Sequence, residues 1–171
     1  MAISLEQIKD LREKTGAGVM EAKGALNEAE GDQEKALEIL KEKGLAKVAK
    51  RADREANEGY IGIYLHDNAK VASMVELHCE TDFVAKNEEF QQLAKDLAIH
   101  AAALNPLYLS EEDVPTDIDE KTFDSRSKEE VCLLTQKFFK DPTKTVNEAI
   151  EAHIARIGEN IKLAKFVIFS I

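Results

Sequence analysis

Read for the spacing of its apolar positions, the chain opens with three helical bursts. Ser4 followed by Gln7 has the spacing of a capping box, and Leu5, Ile8 and Leu11 recur on one helical face, which predicts a short helix to about Lys14. Thr15-Gly16-Ala17-Gly18 interrupts it, after which Val19, Ala22, Leu26 and Ala29 mark a second helix that ends at Gly31-Asp32. Asp32 can cap a third helix carrying Ala36, Leu37 and Leu40, and Gly44 stands where a left-handed C-terminal cap is expected. The pattern predicts a three-helix bundle over residues 1–44. From Leu45 to Asn57, alanines at 46, 49, 52 and 56 fall on one side and Lys47, Lys50, Arg51 and Arg54 on another. That spacing predicts a linker helix over 45–58 whose basic stripe is a solvated face.

The period changes after Gly59. Tyr60 to Leu65 is rich in strand formers, His66-Asp67-Asn68-Ala69 is turn-like, and Val71, Val75, Leu77 and Cys79 alternate with more polar neighbours, so a β-hairpin is predicted. Thr81 or Asp82 can then cap a helix bearing Phe90, Leu93, Leu97 and Ala101, stopped by Asn105-Pro106. The acidic stretch from Leu109 to Lys128 contains Pro115 and is assigned mainly to loop, with a short helix opened by Ser110. Val131 to Leu134 is assigned to a short strand. Thr145 with Glu148 repeats the capping-box spacing before a helix from Val146 to Ile157, which Gly158 ends. A last strand runs from Asn160 to Ile171, and residues 59–171 are therefore expected to form an α+β core, a small antiparallel sheet with helices on one face.

Composition and charge narrow the function more than the fold. With 33 acidic against 23 basic residues the formal charge is −10, which repels a phosphate backbone and argues against a direct nucleic-acid role. Protein partners are expected instead. The 171 residues hold two cysteines, Cys79 and Cys132, too few for a disulfide framework and in keeping with a reducing, cytoplasmic site. The opening residues lack a basic region followed by an apolar stretch, and no apolar run approaches the roughly 20 residues a membrane span requires. Neither secretion nor membrane insertion is expected.

Catalytic chemistry is hard to find. Gly16-Ala17-Gly18 follows a helix instead of a strand and lacks a third glycine or a Lys-Ser/Thr sequel, so it reads as a tight turn and not a phosphate loop. His66, His78, His100 and His153 never pair at the spacing of two metal ligands on one helical face. Asp117 and Asp119 imitate the start of a calcium loop, but Lys121 occupies the next ligand position. Cys79 beside His78 suggests thiol catalysis, yet strand neighbours point to opposite faces, so a buried structural cysteine is the better reading. No cofactor or metal is implied. Phe83 stands out in Glu80-Thr81-Asp82-Phe83-Val84-Ala85-Lys86-Asn87, at a strand-to-helix joint where small or polar residues are usual. It is either a staple anchoring the new helix to the core or an exposed wedge flanked by a carboxylate.

Two long stretches carry a family resemblance. Leu11-Arg12-Glu13-Lys14-Thr15-Gly16-Ala17-Gly18-Val19-Met20 and Val75-Glu76-Leu77-His78-Cys79-Glu80-Thr81-Asp82-Phe83-Val84-Ala85-Lys86-Asn87 resemble the N-terminal and core signatures of bacterial elongation factor Ts. Ala94-Lys95-Asp96-Leu97-Ala98-Ile99-His100 and Ile157-Gly158-Glu159-Asn160-Ile161 match the same family's pattern, so the resemblance runs nearly end to end. It implies a ubiquitin-associated-like N-terminal domain, an α+β core, and an exchange factor, not an enzyme, for the GTPase elongation factor Tu. By resemblance, Thr81, Asp82, Phe83 and Val84 reach the partner near its Mg²⁺ and phosphate site, and Arg12, Val19 and Met20 hold it from another side.

The chain departs from the family pattern in places. Val19-Met20 replaces a frequent pair of methionines, and the stretch from Pro115 to Val131 is shorter than usual and lacks a helical segment. Only one sheet-containing half of the core is present, which resembles the short form and implies a homodimer. Ile161, Leu163, Val167, Phe169 and Ile171 alternate along the last strand, and Phe166 and Ile168 are also apolar, so both faces near its end call for burial. The rival readings are an adaptor that uses the N-terminal bundle on a helical partner without exchange activity, and an enzyme built on Cys79.

Overall fold

The computed structural model of the chain describes residues 3–116, 123 and 125–171. Ser4 starts helix α1 (Leu5–Thr15) with the expected reciprocal cap: its hydroxyl accepts the Gln7 N–H at 3.1 Å while the Gln7 side chain accepts the Ser4 N–H at 2.9 Å. Gly16, at φ 70°, ends the helix in the left-handed conformation a side chain would resist. Helix α2 (Val19–Glu28) follows, and Asp32 caps α3 (Gln33–Ala49) by accepting from the Glu34 and Lys35 amides. Ile8, Leu11, Ala22, Ala25, Leu26, Ala29 and Ala36 form the core of this bundle, in which alanine lets the helices approach closely. Val19, expected on the same face as Ala22, stands outside that core.

Two expectations fail at the end of α3. Gly44 does not cap it: the helix continues through Gly44 to Ala49, and its C-cap Lys50 is right-handed. The reason is tertiary, because α3 packs on a later helix (α7, Val146–Ile157), and a β-carbon at Gly44 would sit 3.6 Å from that of Ala155. The linker helix expected to Asn57 stops at Ala49, and a turn and an extended segment follow. There Asn160 donates its amide hydrogens to the carbonyls of Ala52 and Arg54. The basic stripe is partly consumed in structural contacts, since Lys47 pairs with Glu21 and Arg54 with Glu80.

Strands β1 (Glu58–Leu65), β2 (Val71–Cys79) and β3 (Ile161–Ser170) form one antiparallel sheet in the order β1-β2-β3. Its inner face carries Val75, Leu77 and Cys79 from β2 and Ile161 and Leu163 from β3, packed under α5 (Glu88–Leu104) and α7. A β-carbon at Gly62 would land on the Ala94 carbonyl oxygen, so only glycine lets α5 lie this close to β1. A register shift opposite Glu76/Leu77 puts a bulge in β3. The bulge corrects the expected single alternation along that strand. Ile161 and Leu163 face the core, but beyond the bulge Phe166 and Ile168, opposite Val75 and Ser73, take the inner positions. Val167 and Phe169, opposite Met74 and Ala72, then point outward together with Ile61, Ile63 and Leu65 of β1.

The helix expected from residue 82 is two helices. Thr81 caps a single turn, α4 (Asp82–Ala85), and Asn87 restarts the chain as α5 by accepting the Glu89 amide at 2.8 Å. Asn105, at φ 46°, ends α5 before Pro106. Ser110 opens a short 3₁₀ turn, Glu111–Asp113. The strand expected at Val131–Leu134 is absent. Ser127 and Glu130 form a capping box that drives Lys128–Val131 into a helical turn, α6, and Cys132 makes only an isolated bridge with Tyr108. The reading of Asp117, Asp119 and Lys121 lies outside the described residues. Thr145 and Glu148 cap α7 reciprocally, and Gly158, at φ 90°, closes it.

Candidate functional site

The joint between β2 and α4 turns the chain within two residues and presents four side chains in different directions. Thr81 points inward: its hydroxyl accepts the Val84 amide at 3.4 Å and donates to the Glu159 carboxylate at 2.6 Å. Val84 is half-buried against the main core. Asp82 and Phe83 face solvent. The Asp82 carboxylate pairs with Lys86 one turn along at 2.7 Å, which holds its carboxyl below the usual range and raises Lys86 in return. Phe83 is 82% exposed and belongs to no core cluster, so of the two readings of this residue the staple is excluded.

Glu159 builds the joint from behind. One carboxylate oxygen accepts the backbone amides of Glu80 and Thr81 at 3.1 and 3.0 Å, and the other accepts the Thr81 hydroxyl. In the opposite sense the Glu80 carboxylate accepts the Asn160 amide at 2.6 Å. The sequence places Glu159 within the stretch Ile157-Gly158-Glu159-Asn160-Ile161 and assigns it no role of its own. No local spacing rule singles it out, because the amides it holds lie 79 and 78 residues away in the chain.

The N-terminal candidates sit together on a second surface. Arg12 donates its Nε–H to the Ala17 carbonyl at 3.3 Å and so braces the turn between α1 and α2. Val19 and Met20, 50% and 77% exposed, project from the first turn of α2 beside it. Among the described residues, no element brings these three to the β2–α4 joint.

Thiol chemistry has no support. Burial, helped by the nearby Glu159 charge, pushes the Cys79 thiol up to about 11, and it donates to the Thr81 carbonyl. His78 faces the other side of the strand, between the Ala56 carbonyl and the Glu76 carboxylate. Among the described residues no group of three or more His, Cys, Asp or Glu is arranged to hold a metal, and no helix is long and apolar enough to cross a membrane.

Residues 6–128 match the family model described as elongation factor TS. The elongation factor Ts of Thermodesulfovibrio yellowstonii is 46% identical, with 100% of this chain and 97% of the relative aligned. The chain belongs to the elongation factor Ts family. The proteins of that name from Thermosipho melanesiensis and Leptospira biflexa are each 45% identical over 98% of their own length. Membership makes the chain a translation elongation factor. The first of these alignments spans 194 positions against 171 residues, so that elongation factor Ts carries segments this one lacks.

Proposed function

We propose that the chain is a guanine-nucleotide exchange factor that binds elongation factor Tu·GDP and promotes GDP release, with Asp82 and Phe83 as the intruding elements. The observation that carries this reading is Phe83: a large apolar ring, 82% exposed, on a one-turn helix braced from behind by Glu159. An exposed aromatic held rigid costs folding little and offers a partner a preformed anchor. Asp82 adds a carboxylate that can exchange Lys86 for cationic groups of the partner's phosphate site. Thr81 and Val84 orient these two, while Arg12, Val19 and Met20 supply a second grip. Such a factor needs no acid, base or nucleophile. It has only to bind the nucleotide-free GTPase better than the GDP-bound form, and linkage then requires GDP to weaken the factor as much as the factor weakens GDP. Disturbing the bound Mg²⁺ removes a large positive charge that held the phosphates. The test is release of a fluorescent GDP from elongation factor Tu, which this chain should accelerate at substoichiometric concentration; an unchanged rate refutes the reading.

We infer further that the chain works as a cytoplasmic homodimer joined through the outer face of its sheet. Ile61, Ile63, Leu65, Met74 and Phe169 are exposed side by side there, and an apolar sheet face of this kind calls for a cover. A second copy supplies it through a twofold axis that buries the same patch on both chains. Sedimentation equilibrium at micromolar concentration should give twice 19.0 kDa, and a single 19.0 kDa species refutes the dimer.

A further inference from the structure

We propose that Glu159 is a positioning residue for the Asp82–Phe83 wedge, a role that rests on the exchange reading above. The geometry is a clasp between two chain segments distant in sequence. Gly158, in the left-handed conformation at φ 90°, turns the chain out of α7 so that Glu159 faces the β2–α4 joint. Its carboxylate then accepts three hydrogen bonds, from the Glu80 and Thr81 amides and the Thr81 hydroxyl, at 3.1, 3.0 and 2.6 Å. Glu80 returns the contact by accepting the Asn160 amide at 2.6 Å. Each acidic residue thus accepts from the backbone of the other's segment.

The two amides that Glu159 holds sit immediately before α4, where β2 has ended and ladder bonding no longer fixes the chain. Charge-assisted bonds to them replace the missing ladder. Without the clasp, the joint gains backbone freedom that must be removed again each time Phe83 enters a partner. Phe83 is 82% exposed, and the hydrogen bonds of Glu159 end at Glu80 and Thr81. The carboxylate therefore acts on the wedge through the backbone and Thr81, and its loss should be felt only where Phe83 matters.

That dependence gives the test. Release of a fluorescent GDP from elongation factor Tu is followed at limiting concentrations of the wild-type chain, Glu159→Ala, Glu159→Gln, Phe83→Ala and the double variant Phe83→Ala/Glu159→Ala. Thermal unfolding normalises each rate to folded protein. Glu159→Ala should slow exchange about tenfold, while Glu159→Gln, which can still accept from both amides, should stay within about threefold of wild type. The double variant should be no slower than Phe83→Ala within about twofold, the non-additivity expected of residues acting as one unit. Hydrogen exchange of the Glu80 and Thr81 amides should quicken in Glu159→Ala while that of central β2 stays slow. If Glu159→Ala fails to fold, Glu159→Asp, which keeps the charge but retracts it by one methylene, takes its place in the same cycle. Rates that multiply in the double variant, or a loss accounted for by the unfolded fraction, overturn the positioning role while leaving the exchange reading intact. A wild-type chain that leaves GDP release unchanged overturns the exchange reading, and this proposal with it.

Discussion

Replacing Phe83 by alanine separates the contribution of this ring to folding from its contribution to the partner. Full burial of a phenylalanine is worth about 1.5–3 kcal/mol, and a ring that is 82% exposed realises roughly a fifth of that, about 0.3–0.6 kcal/mol. For a chain of this size such a loss lowers the melting temperature by about 1–2 °C. As an interface anchor, the same ring is expected to contribute about 2 kcal/mol, which converts to about a 30-fold slower exchange at limiting factor concentration. The two effects differ enough for one protein preparation to resolve them. A thermal melt measures the first and stopped-flow release of fluorescent GDP the second. A melting temperature lowered by more than about 5 °C, with exchange per folded molecule unchanged, would return Phe83 to a structural role and refute the reasoning.

Gly62→Ala should cost about 1–3 kcal/mol in urea unfolding, because the new methyl group lands on the Ala94 carbonyl oxygen. Gly24→Ala, inside α2 with nothing within 4 Å of the added carbon, should instead stabilise by up to about 1 kcal/mol, and equal effects of the two would contradict the close α5–β1 crossing. Burial lowers His100 and His153 below their ordinary 6.5, so the unfolded chain binds more protons than the folded one as pH falls. Their stability contribution is therefore complete above pH 6.5 and declines below it, and urea midpoints should drop between pH 7 and pH 5, a window above most carboxylate titrations; a flat or rising midpoint contradicts neutral buried histidines. Ile63→Lys, in the middle of the outward sheet face, should leave far-ultraviolet circular dichroism unchanged and give a monomer in sedimentation, whereas a persistent dimer places the interface elsewhere.

Local signals carried most of the architecture. Ser4, Asp32 and Thr145 each begin a helix because a side-chain oxygen meets specific backbone amides, and that chemistry depends on neighbours within the same four residues. Gly44 misled because a glycine near a helix end does not oblige the helix to stop, and the packing on α7 that accompanies its continuation involves residues far away in the chain. The Val131–Leu134 strand failed for a related reason: Val131 and Cys132 fill a small satellite core with Phe123 and Tyr108, while Leu133 and Leu134 pack on the main core, and none takes a sheet position. The bulge in β3 was hidden because it is a property of pairing with β2 and not of the strand alone. At the candidate site, Phe83 was legible as a misplaced aromatic, whereas its exposure and the support from Glu159 depend on contacts that no spacing rule reaches.

The unbroken course of α3 through Gly44 has a mechanical consequence. This one helix contributes Ala36 to the bundle core and rests Val48 against the core of the sheet domain, so it is a strut and not a hinge. Its 17 residues span about 25 Å at 1.5 Å each. The surfaces around Met20 and Phe83 then behave as the tips of a caliper whose opening is set by this rigid helix and its packing on α7. Adding one residue to the strut would swing the bundle by about 100° relative to α7 and shift it about 1.5 Å, while substitutions on its solvated side would leave the opening unchanged. The length of α3 is therefore under tighter constraint than the identity of its exposed residues.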